Sequence, residues 1–345
     1  MTRATLTRRR FTAALAATTV APFIVRTARA AGTVVAATFP NAWEDAYRRV
    51  LTPMLEREGT QLTIAPALAQ DQLTKMMATP GKPPYDALLM SPGQSAIAIQ
   101  NNLIEKVTPA KIANWNSLDA AFQDPWGPVV TIEVNGIAYN PDLVPRPKGY
   151  RDLFENPAYD GKVSWVGFES NTAVMAYVQL AKIFGKGPDD MEAVFKLFRD
   201  KGSKLGPIAA STNQQMTMYQ QGELAVFMAS TNNVARLKSL GLKAEFVHPE
   251  TGSPAVPVNI HLTKGSSNPD GVHAYMNAAI SKAAQDLLKM PPTETFPTNK
   301  DVELTPSIEA YITKAQLKSF VYPDWAMINA RRPDWTKEFD RVVKK

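Results

Sequence analysis

The sequence predicts an α/β protein of two lobes, each a doubly wound sheet flanked by helices, and three observations carry that expectation. First, a short apolar strand, a polar bend and an amphipathic helix follow one another repeatedly, most plainly at residues 163–181. The bends share one chemistry: Pro40-Asn41-Ala42-Trp43, Ser91 to Ser95, Phe168-Glu169-Ser170-Asn171, Ser211-Thr212-Asn213, and Ser230-Thr231-Asn232. Second, residues 128–139 form a strand long enough to leave one sheet and enter another. Third, 345 residues of 45% hydrophobic composition suffice for the cores of two lobes. In an open parallel sheet such bends lie at the carboxyl ends of the strands, where ligands bind.

Taken in order, the continuous apolar run at 33–38 reads as a buried strand, and the periodicity of 42–58 predicts a helix. A strand at 61–67, a helix at 70–78 ended by Pro80, Gly81, Pro83 and Pro84, a strand at 87–90 and a helix at 93–101 complete three strand-helix units. Residues 103–126 are irregular, with a helical piece near 118–122. The crossing strand is expected to be interrupted at Asn135-Gly136. Units resume at 163, at 204–208 and at 224–229, with a short helix at 150–156 and another at 189–201. A strand at 244–248 precedes 255–262, a candidate return strand toward the first lobe. Asn268 is placed to cap a helix that begins Pro269-Asp270, and a further helix covers 281–290. The tail after 307 is expected to be mostly helical, broken at Pro323 and Pro333. Lobe 1 is thus expected at 31–134 and 255–296, lobe 2 at 135–254 and 297–345, with a hinge near Asn135 and near Pro254.

Residues 1–30 read as a secretory signal of twin-arginine type, with Thr7-Arg8-Arg9-Arg10-Phe11 before an apolar run and Ala28-Arg29-Ala30 before a mature start at Ala31. The apolar run, fifteen residues from Phe11 to Val25, is shorter than the ~20 a membrane span needs. The six arginines of this segment account for the whole excess of 38 basic over 32 acidic residues. The remaining chain is neutral, so its charge gives no support to nucleic-acid or anionic-membrane binding. With no cysteine, disulfides, thiolate chemistry and lipid attachment through an N-terminal cysteine are excluded. A soluble periplasmic protein without an anchor is expected.

Catalytic constellations are missing from the pattern. There is no Gly-x-Ser-x-Gly elbow, no His-Glu-x-x-His and no dinucleotide or phosphate loop, and Gly185-Lys186-Gly187 follows a helix and reads as its stop. His248, His261 and His273 have no second ligand at metal spacing. No metal, no cofactor and no catalytic residue is expected; an exported hydrolase with an unrecognised site is the alternative.

Residues 127–140 end in Gly136-Ile137-Ala138-Tyr139-Asn140. Tyr150-Arg151-Asp152-Leu153-Phe154-Glu155-Asn156-Pro157 precedes Tyr159-Asp160-Gly161-Lys162-Val163, and Gly222-Glu223-Leu224-Ala225 and Pro297-Thr298-Asn299 follow. On these residues the chain resembles the periplasmic solute-binding proteins of ABC importers, most of all the class that includes the polyamine and ferric-ion binders. The resemblance implies a two-lobed type II periplasmic-binding-protein fold that closes on one small solute as a monomer and presents it to an inner-membrane permease. Polyamine binders place a tryptophan and an acid where this chain has Ala229 to Asn232, and another acid at Val258-Asn259-Ile260; the ferric-ion binders' tyrosine pair has no match. The ligand therefore does not transfer from the family.

If the bends line the cleft, its polar groups are Asn41, Trp43, Ser91, Gln94, Glu133, Glu169, Ser170, Asn171, Ser211, Asn213, Ser230, Thr231, Asn232 and Asn259. Glu133 and Glu169 are its acids, and Trp43 and Phe168 offer aromatic faces. Two carboxylates and an aromatic wall suit a polyamine-like amine or a zwitterion. The alternative is a small organic anion, carboxylate or phosphonate, held by helix N-termini and hydroxyls. Asp86 precedes its strand and reads as structural.

Overall fold

The computed structural model describes residues 31–343 with the exception of Pro292; the export segment lies outside the described residues. In chain order the elements are β1 (Ala31–Thr38), α1 (Ala42–Arg57), β2 (Thr60–Pro66), α2 (Ala69–Ala78), β3 (Ala87–Met90), α3 (Pro92–Gln100), β4 (Ile104–Glu105), β5 (Val129–Tyr139), α4 (Asp152–Glu155), β6 (Val163–Val166) and α5 (Asn171–Phe184). They continue with α6 (Met191–Lys201), β7 (Ile208–Ala209), α7 (Thr212–Gln220), β8 (Val226–Ser230), α8 (Thr231–Ser239), β9 (Glu245–Val247), β10 (Ala255–Thr263), α9 (Pro269–Ala279), α10 (Lys282–Leu288), α11 (Pro306–Glu309) and α12 (Trp325–Val342).

The strand order is β2-β1-β3-β10-β5-β8-β6-β7, with β4 on β10 and β9 on β5. β5 belongs to both halves of this sheet. Its Val129 to Val134 pair antiparallel with β10, and its Asn135 to Tyr139 pair antiparallel with β8. The expected interruption at Asn135-Gly136 is absent: the strand runs through, and what changes there is its partner. Gly136 permits the change, because a Cβ at this position would lie 2.5 Å from the Val247 carbonyl oxygen. Two other segments cross at the same level. The Asn135 N–H donates to the Pro254 carbonyl (2.8 Å), and the Val321 N–H donates to the Ser253 carbonyl (2.9 Å) while its own carbonyl accepts from Ala255 (2.9 Å).

The first half of the sheet is covered by α1, α9 and α10, whose apolar faces bury Tyr47, Leu51, Leu55 and Tyr275 against Val34 and Ile64. The second half has an aromatic core in which Trp165 meets Phe154 (5.3 Å between ring centroids), Phe198 (5.3 Å) and Tyr177 (5.8 Å). Asp86 holds the first half together at the amino ends of its strands: it accepts from the Val35 N–H (2.9 Å) and from Ser266 and Ser267. This is the structural role its position predicts.

Two elements differ from expectation. The strand expected at 204–208 shrinks to Ile208–Ala209, because residues 202–204 make a 3-10 turn instead. Pro333 does not break the tail. α12 runs through it, since burial of Ile328, Trp335 and Phe339 offsets the lost N–H bond, which costs about 3 kcal/mol. The same helix spans both halves of the sheet: Asn329 donates to the Gly93 carbonyl at 2.8 Å, and Trp325 packs on Gly93, while Arg332 reaches the bend before α5.

Candidate functional site

A cavity of about 420 Å³ opens beside β5, within the size range of small-ligand sites. It is lined from the first half of the sheet by Phe39 and Trp43 after β1 and by Ser91 after β3, and from the second half by Thr231 and Asn232 at the start of α8. β5 supplies Thr131 and Glu133, two residues apart and so on one face. Val258 of β10 lies opposite Thr131 in the register. Ala235 and Lys238 continue the face of α8 that begins at Thr231, at spacings of four and three residues. Thr293 to Phe296, in the connector after α10, and Ser307, Ile308, Ala310, Tyr311 and Ile312 close the remaining wall.

Each side chain is positioned by its neighbours. The Trp43 indole is held edge-on between Phe39 and Tyr47, 5.6 Å from each, and Tyr47 is buried on Tyr275. The Tyr311 carbonyl accepts from His248 Nε2 (2.6 Å); a carbonyl only accepts, so His248 is protonated on Nε2 and its Nδ1 accepts from the Ser253 hydroxyl (2.7 Å). Lys238 is paired with Glu245 at 3.2 Å and lies 5.4 Å over the Tyr311 ring. Glu133 is half-buried. Desolvation raises its carboxyl above the ordinary carboxylate range, and a hydrogen bond with Ser230 opposes the shift. Among the described residues no lysine, arginine or histidine pairs with it.

Of the sequence-predicted residues, Trp43, Ser91, Glu133, Thr231 and Asn232 line this one cavity. Ser230 caps α8 reciprocally with Asn233 and is the hydrogen-bond partner of Glu133. Asn41, with φ of 63°, turns the chain into α1 and is exposed; its side chain makes no capping bond. Gln94 is half-buried, and its amide oxygen has no partner. Asn259 is committed to the Gly127 carbonyl (2.9 Å) and Asp124 (3.3 Å). The remaining bends lie outside the cavity. At Glu169, Ser170 and Asn171 the reason is Arg332, which donates to the Phe168 and Glu169 carbonyls (2.6 and 2.8 Å) and to Asn171 Oδ1 (2.9 Å). Ser170 caps α5, Ser211 caps α7 through the Gln214 N–H (3.2 Å), and Asn213 is exposed. Phe168 offers no face to a ligand: it is fully buried against Tyr177 (4.7 Å) and Phe339 (5.7 Å). Glu294, Phe296, Tyr311 and Lys238 were missed. They sit on irregular segments or at the third turn of a helix, where strand-bend-helix reasoning gives no signal.

A serine-histidine pair also exists, with Ser95 Oγ 2.7 Å from His261 Nε2. His261 Nδ1 donates to the Trp126 carbonyl (2.8 Å), and the Ser95 hydroxyl that meets Nε2 also lies 3.1 Å from the Ser91 carbonyl. Both residues are buried away from the cavity, and burial lowers the His261 pKa. The hydroxyl is spent on packing the ring and has no opening to a substrate.

Two half-sheets joined by crossing segments, with a cavity lined from both, make up the type II periplasmic-binding-protein fold. Within that class the chain belongs to the bacterial extracellular solute-binding protein family, whose model matches residues 56–316. Among curated proteins no relative is found. The fold is shared with an ABC transporter protein from Clostridium perfringens (TM-score 0.80, 20% identity, 90% of this chain and 99% of the other). It is shared too with a structure described as the Atu4243-GABA receptor (0.73, 18%, 91% and 98%) and with AfuA of Actinobacillus pleuropneumoniae bound to fructose-6-phosphate (0.68, 18%, 91% and 99%). Those last two names span a zwitterion and an anion, so the fold does not dictate ligand charge. No helix among the described residues is long and apolar enough to cross a membrane.

Proposed function

We propose that this protein is the periplasmic solute-capturing component of an ABC importer, and that its solute is a small amine or zwitterion whose cationic nitrogen sits against Glu133 under Trp43. One observation carries the reading: Glu133 is a desolvated carboxylate in the wall of a cavity, and its direct partner there is the neutral Ser230. A cation gains more from such a group than from an exposed one, because water screening is reduced, and the indole face adds cation–π attraction. Closure of the two halves about the segments crossing at Asn135, Pro254 and Val321 would complete the enclosure.

The runner-up is a small anion. It is favoured by α1, α3 and α8, whose positive ends all begin at this cavity. Calorimetric titration across pH separates the two. An ammonium pulls the Glu133 pKa down from its raised value in the free protein, so amine affinity should rise with pH through the window between the bound and free values and level off above it. Affinity should accordingly fall as the pH is lowered through the raised Glu133 pKa of the free protein. An affinity that instead strengthens toward acid marks an anion, for which protonation of Glu133 relieves repulsion.

A further inference from the structure

The charges lining the cavity do not cancel. Lys238 is committed to Glu245 and to the Tyr311 ring, which leaves Glu133 on β5 and Glu294 on the connector. Glu294 holds a φ of 45°, a left-handed backbone that residues with side chains adopt sparsely and that clusters at functional sites. Its carboxylate is oriented: the Ser307 hydroxyl lies 2.8 Å from Oε1, and the Thr305 hydroxyl 2.9 Å from Ser307 Oγ. A carboxylate only accepts, so Ser307 donates to Glu294 and Thr305 donates to Ser307. Among the described residues no lysine, arginine or histidine pairs with Glu294, although Glu294 is half-buried in the cavity wall with Ser307 beside it. An aimed carboxylate without a cation, on a strained backbone, is built for a partner that arrives with the solute.

We infer that Glu294 is a specificity-determining residue that receives a second cationic centre of the solute, the first being held at Glu133. The inference rests on the reading of the cavity as an amine site. Three probes test it: n-butylamine, putrescine and γ-aminobutyrate share one chain length and one ammonium, and differ in a far end that is neutral, positive or negative. In calorimetric titrations Glu294→Gln should weaken putrescine about tenfold or more, leave n-butylamine within about twofold, and tighten γ-aminobutyrate. Ser307→Ala, which releases the carboxylate without removing its charge, should weaken putrescine in the same direction but less. Glu133→Gln should weaken all three. If Glu294→Gln shifts the three probes by one common factor, or shifts none, the assignment of Glu294 is overturned while the amine site stands. If Glu133→Gln leaves all three unchanged, the amine site itself is wrong. A wild-type protein that binds none of the probes contradicts both.

Discussion

Replacing Glu133 by glutamine is expected to weaken binding of a cationic solute by about thirtyfold or more, a loss on the order of 2 to 5 kcal/mol. The size follows from the surroundings of the carboxylate. Glu133 sits in the cavity wall on a β5 face that pairs with Val256 of β10, and its charge is already desolvated before a ligand arrives. Removing it leaves the ammonium buried and uncompensated, which costs more than losing an exposed pair. Glutamine keeps the volume of the side chain, so cavity shape is held constant while charge changes. The internal control is Glu169→Gln. That residue is exposed on a bend whose carbonyl groups are held by Arg332, outside the cavity lining, and amine affinity should stay within about twofold of wild type. Titration calorimetry of the two variants side by side reads both effects. Equal losses in both would move the site to the bend before α5.

Trp165→Ala should cost about 3 to 5 kcal/mol of stability, read as a lowered midpoint in chemical denaturation. Trp165 is 1% exposed and is the largest fully buried side chain of the second half, packed on Phe154, Tyr177 and Phe198. Alanine would leave a cavity among three rings that are fixed by their own neighbours and have little freedom to collapse. Trp165→Phe should lose much less, about 1.5 kcal/mol or below, because the indole N–H has no acceptor and its removal relieves a buried unsatisfied donor. A smaller loss for alanine than for phenylalanine would show that the aromatic cluster does not carry this half of the fold.

The fold is legible in the sequence wherever the signal is local. The apolar run of β1, the Pro269 start of α9 and the Asn268 cap that accepts from Gly271 all depend on neighbours within a few residues. So does the position of the sheet crossing, which Asn135-Gly136 mark through conformational freedom and not through an end to the strand. Pro333 misleads because its helix is held by side chains that pack far away, at Phe168 and Tyr177. Part of the site is legible for the same reason as the fold. Trp43, Ser91 and Thr231 follow from the rule that bends at strand ends line the cleft, and Glu133 from its place on the crossing strand; all four line the cavity. Glu169 and Asn171 obey that rule locally, yet Arg332, about 160 residues downstream, has taken the bend. Glu294 and Tyr311 lie on segments with no period at all. Their placement depends on the Ser307 hydroxyl and on His248, contacts that exist only in the folded chain.

The central claim, a cation held at Glu133 between the two halves of the sheet, is tested most directly by the crystal structure of the protein with putrescine bound. The account predicts an ammonium nitrogen within hydrogen-bonding distance of the Glu133 carboxylate, with the Trp43 ring against the chain of the ligand and the two halves drawn together about Asn135 and Pro254. A ligand found instead at the bend held by Arg332, or outside the cavity that Trp43 and Tyr311 enclose, would contradict it.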